Sequence, residues 1–145
     1  MNRVPRLLHA AYWIGAVADA LALIPLLVPK AAEVMLGLDG FAPGSDYRYA
    51  AGIAAALMAG WTVLLVWADR RPVERRGVLL LTVCPVLIGL IASGGYAVHS
   101  GLTRLPYLAP VFVFQIGASV LFVVAYLRAR AAERGPSHGA AHAAG

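Results

Sequence analysis

The chemistry of this chain is narrowed first by what it has little of. Charge is scarce: Asp, Glu, Lys and Arg make up 13% of the residues, where a soluble domain carries about 25%. Lysine occurs once, as Lys30, and cysteine once, as Cys84. A single cysteine excludes an intrachain disulfide and any CxxC redox pair. No HExxH or related zinc pattern, Walker loop or dinucleotide fingerprint is present. His9 and His99 fall at opposite membrane faces in the layout below, and His138 and His142 sit in the small polar stretch "RGPSHGAAHAAG". Neither pair suits a metal or a haem. The expectation is therefore no metal, no cofactor and no catalytic set, which weighs against an enzyme.

What fills the chain instead is apolar. Hydrophobic residues make up 61% of it, and the mean hydropathy is +0.75. A hydrocarbon core of about 30 Å takes roughly 20 apolar residues per spanning helix. Four such runs stand out, at residues 7–28, 49–68, 77–98 and 105–127. In lipid each must satisfy its own backbone hydrogen bonds, so each reads as a helix. The expected fold is all-α, a four-helix transmembrane bundle of up-down topology over residues 1–128, followed by a disordered tail over 129–145. The long first connection contains "AAEVMLGL", whose apolar residues share one helical face and predict a short interfacial helix. Pro25, Pro85 and Pro110 lie within or near helix ends and are candidate kinks. The first run is longer than the apolar region of a signal peptide and ends at Pro29, so it is expected to stay as a helix.

The net charge of +5 follows the ends of these runs rather than one solvated face, so membrane orientation explains it better than nucleic-acid binding. Arg3, Arg6, Arg70, Arg71, Arg75, Arg76, Arg128, Arg130 and Arg134 fall on one side, and only Lys30, Arg48 and Arg104 on the other. The positive-inside rule then predicts both termini in the cytoplasm. The scarcity of lysine beside abundant arginine, alanine and glycine suggests a bacterial inner membrane protein. Tyr47, Tyr49, Tyr96 and Tyr107 would form an outer aromatic belt.

Asp19 is the sharpest local feature. A carboxylate near the middle of a spanning helix costs roughly 2.5–3.5 kcal/mol on insertion scales, so it faces the bundle interior or a wet cavity. Gln115 lies at comparable depth in the fourth run, and Arg48 could reach inward from the second. These three are the candidate ligand or proton site. The alternative is a structural lock, an Asp19–Gln115 hydrogen bond joining the first and fourth helices. Gly52, Ala56 and Gly60 recur every fourth residue and predict a close helix-packing ridge, inside the bundle or on a homodimer face. Trp13 and Trp61 either line a cavity or fill the bundle.

The stretches "YWIGAVADALALIPLLVP" and "YRYAAGIAAALMAGWTVLLVWADRRPVERRG" resemble small bacterial four-helix membrane proteins of uncharacterised role. The layout is also similar to that of the DoxX-like membrane proteins. That resemblance implies a multi-pass protein in an auxiliary role and brings no catalytic residue. Two functions are consistent with these residues. One is an accessory or structural membrane protein that binds a lipid or small apolar ligand, alone, as a homo-oligomer or beside a membrane partner. The other is an oligomeric proton-coupled small-molecule transporter using Asp19.

Overall fold

The computed structural model describes residues 3–134 and is all-helical among them. Helix α1 spans Arg3–Leu27, α2 Pro29–Leu36 and α3 Ser45–Asp69. Gly77–His99 forms one long span, made of α4 (Gly77–Leu81), a π-helical turn (Thr82–Leu87) and α5 (Ile88–His99). Helix α6 spans Leu105–Arg134. Four of these stretches are long and apolar enough to cross a membrane: Val4–Leu27, Ser45–Asp69, Gly77–His99 and Leu105–Ala132. The bundle is up-down, and each expected span is observed to within about a turn at most ends. The last helix differs: it continues to Arg134, so residues 129–134 are helical rather than tail. The remainder of the expected tail, with His138 and His142, lies outside the described residues.

The local breaks have local causes. Pro85 lacks an N–H and its ring crowds the carbonyl one turn back. The third span absorbs this by widening into the π-helical turn around it. Helix α2 begins with Pro29 in its first turn and stops at Gly37, whose φ of 63° is left-handed. A side chain at Gly37 would also run into the Tyr107 ring, so both backbone and space call for glycine there. Thr103 Oγ1 donates to the Leu36 carbonyl at 2.6 Å, which fastens the end of α2 to the turn before α6.

A continuous core sits toward the arginine-rich end. Leu8, Tyr12, Leu65, Leu79 and Phe122 are fully buried there, with Ala11, Ala68, Ala125 and Ala129 filling between them. Gly15 lets α1 approach α3 and α6, since a Cβ on it would lie 3.1 Å from both Leu65 and Phe122. The opposite half is looser, and α5 has no buried residue.

The small-residue ridge does not pack inside the bundle. Gly52, Ala56 and Gly60 are exposed, and nothing lies within 4 Å of a Cβ built on either glycine. Ala51 and Ala55 are the buried residues of that stretch. One residue is about 100° of helix rotation, so burying Ala51 and Ala55 turns the Gly52 stripe outward, away from the bundle.

Candidate functional site

Helix α1 carries Asp19 about 12 Å from its Leu27 end, at 1.5 Å per residue. Helix α6 carries Gln115 about 15 Å from its Leu105 end. Both ends lie at the same side of the bundle, so the two polar side chains share a layer. That layer holds a cavity of about 740 Å³ between α1, α6 and the third span. Its walls are Ile14, Val17 and Leu21 from α1, Leu87 and Leu90 from the third span, and Val111 and Phe114 from α6. Met58 of α3 and Met35 of α2 close the remaining sides. Trp13 lies at its arginine-rich extreme. Several wall residues are also open to the outside: Val17 and Leu21 are 50% and 58% exposed, Phe114 45%. The cavity is therefore a groove that opens sideways, where α5 stands off from α1.

Among the described residues, Asp19 and Gln115 are the only ones with acid or amide side chains on this wall. Gln115 is 8% exposed. Asp19 Oδ2 and Gln115 Oε1 are both buried without a hydrogen-bond partner. The two residues thus line one cavity, but no hydrogen bond joins them, so the contact required by a lock is missing. Arg48 does not take part. It is exposed in the first turn of α3, and α3 reaches the cavity only at Met58, ten residues and about 15 Å further along.

No protein family, curated protein or solved structure matches this chain. The resemblance in layout thus carries no residue role, and the site rests on its own geometry.

A second polar cluster, not anticipated from the sequence, lies at the arginine-rich end. Asp69, the last residue of α3, accepts from Trp13 Nε1 at 3.1 Å with one oxygen and pairs with His9 Nδ1 at 2.5 Å through the other. Tyr12 donates to the Arg75 carbonyl at 2.9 Å. The Arg75 guanidinium stacks 3.4 Å from the centre of the Trp67 ring and donates to the Trp67 carbonyl. These bonds fold the 70–76 loop back over α1. Only the shared depth of His9 and Asp69 hints at them, because the segment "DRRPVERR" signals orientation whatever its partners are. Trp13 belongs to both places, with its N–H committed to Asp69 and its ring on the cavity. Trp61 instead fills the space between α3 and the third span, donating to Thr82 Oγ1 at 3.2 Å.

Among the described residues, no group of three His, Cys, Asp or Glu side chains is placed to hold a metal ion. Chemically, the cavity offers two hydrogen-bond acceptors in an otherwise apolar groove. Among the described residues, no serine, threonine, cysteine, tyrosine, lysine or histidine lines it.

Proposed function

We propose that this protein is a multi-pass protein of a bacterial cytoplasmic membrane, with both termini inside, that holds one lipid or small apolar ligand in the α1–α6 groove. One observation carries the reading: Asp19 Oδ2 and Gln115 Oε1 are unpartnered and buried beside the same apolar cavity. Leaving such an atom unsatisfied costs about 1–3 kcal/mol. A ligand that brings hydrogen-bond donors to this layer and an apolar body to the groove removes that cost. The volume falls within the range of roughly 300–1,000 Å³ typical of small-molecule pockets. Orientation rests on the arginine bias alone.

The test is to fill the groove. Ala22 lines it and is small, so Ala22→Trp occupies space that the ligand needs while leaving the core around Leu8 and Phe122 intact. Native mass spectrometry of protein extracted in mild detergents should find a bound amphiphile on the parent and about a tenfold lower occupancy on the variant. Equal occupancy in both, or none on the parent across several detergents, removes this reading.

Among the described residues, Asp19 is the sole ionisable group on the cavity wall, which favours one further reading, an oligomeric proton-coupled transporter. In proteoliposomes Asp19→Asn then abolishes pH-driven flux while the protein stays folded. Flux that survives the substitution excludes coupling through Asp19.

A further inference from the structure

The charge arithmetic of the groove narrows its ligand. Asp19 brings a potential negative charge into an apolar space, and among the described residues no lysine, arginine or histidine lines that space. A carboxylate there without a counter-charge is strongly disfavoured. Arg48 is far along α3, His9 is held by Asp69, and Lys30 pairs with Glu33 at 2.9 Å. Either the carboxyl holds its proton or, where it is ionised, the compensating cation arrives with the ligand. Other wall residues suit a cation too. Phe114, next to Gln115 in α6, adds an aromatic ring to the wall, a group capable of cation–π contact. Met35 and Met58 add polarisable thioethers.

Resting on the proposed binding function, we infer that the ligand is a lipophilic primary amine, bound as its ammonium ion. The unpartnered atoms on Asp19 and Gln115 are both acceptors, so they call for a hydrogen-bond donor; an alcohol meets that need without the charge, a quaternary ammonium meets the charge without a donor, and a primary ammonium meets both. The same two acceptors repel carboxylate and phosphate groups. An aminophospholipid is disfavoured as the source, because its phosphate would enter a layer with no cation to meet it. A free amine carries no such group.

The experiment uses the full chain in phosphatidylcholine nanodiscs, with empty nanodiscs subtracted, and titrates four probes by calorimetry. These are dodecylamine, dodecyltrimethylammonium, dodecanol and a short-chain phosphatidylethanolamine. Dodecylamine should bind about tenfold or more tightly than each of the others, the ratio expected for a charge-assisted hydrogen bond. Asp19→Asn should erase that advantage, bringing dodecylamine to the level of dodecanol. If all four bind alike, or if the preference survives Asp19→Asn, the amine inference is overturned while the groove remains a binding site. Preference for the phosphatidylethanolamine overturns it in favour of a lipid headgroup. If no probe binds above the empty nanodisc, the binding function itself falls. The ranking on the parent protein decides the matter even where the variant fails to fold.

Discussion

The two halves of this bundle are built on different principles. Toward the arginine-rich end, α1, α3, α6 and the start of the third span close around Tyr12, Leu65, Leu79 and Phe122. Polar side chains there are partnered, as in Asp69 with His9 and Trp13. Toward the other end, α5 buries nothing, and two buried polar atoms have no partner. Helix association in lipid gains little from hydrophobicity and depends on close contact and hydrogen bonding. The first half meets both conditions. The second departs from both at one layer, and that layer is where the groove lies. The orphaned acceptors beside that cavity are the observation on which the proposed ligand rests.

This contrast can be broken most directly by truncating one aromatic ring on each side. Phe122→Ala leaves a void in the closed half and should cost about 3 kcal/mol. Phe114→Ala only widens a wall already 45% exposed and should cost less than about 1 kcal/mol. Thermal unfolding in one detergent compares them, and equal losses would show that the halves are equally well filled. A smaller effect is expected where a bond rather than a ring is removed. Asp69→Ala strips partners from both His9 and Trp13 and should cost about 2 kcal/mol, with a shift in tryptophan emission as Trp13 is released. An unchanged emission spectrum would mean that Asp69 does not hold the ring.

The smallest effect concerns the loop that caps the open half. The Lys30 ammonium, bonded to Glu33, holds that carboxyl below its ordinary value of 4.5, and the Gly40 N–H adds to this. Because the folded value is depressed, the stabilisation is present above 4.5 and is lost as pH falls through the folded value. The protection of amides over residues 33–40, measured as exchange relative to the intrinsic rate at each pH, should therefore fall in acid for the parent and stay flat for Glu33→Gln. A pH-independent protection in the parent would show that the ion pair does not hold this loop.

Much of the site is legible in the sequence, though unevenly. Asp19 and Gln115 stand out as the rare polar residues at matching depth, because depth follows directly from distance to a helix end. Their failure to bond is not legible, since it depends on how far α5 and α6 stand from α1. Arg48 is excluded from the site because arginine's reach counts only where its helix meets the cavity, and α3 does so far from Arg48. The Gly52–Ala56–Gly60 stripe shares one face, as its repeat requires, but that face points outward. A repeat fixes which residues lie together and not where they are aimed. Met35 reaches the groove by another route. Apolar spacing accounts for its helix, yet its position over the cavity depends on the Gly37–Tyr107 approach and the Thr103–Leu36 bond.

By itself the sequence determined the number of spans, most of their ends to about a turn, and the charge asymmetry between the two faces. Each follows from a one-dimensional quantity, the length of an apolar run or the residues that stop it, and lipid leaves such a run no fold but a helix. The tertiary structure alone decided the rotation of each helix, the pairing of Asp69 with His9 and Trp13, and the gap beside α5. Those depend on side chains far apart in the chain meeting in space, at angles that no periodicity records.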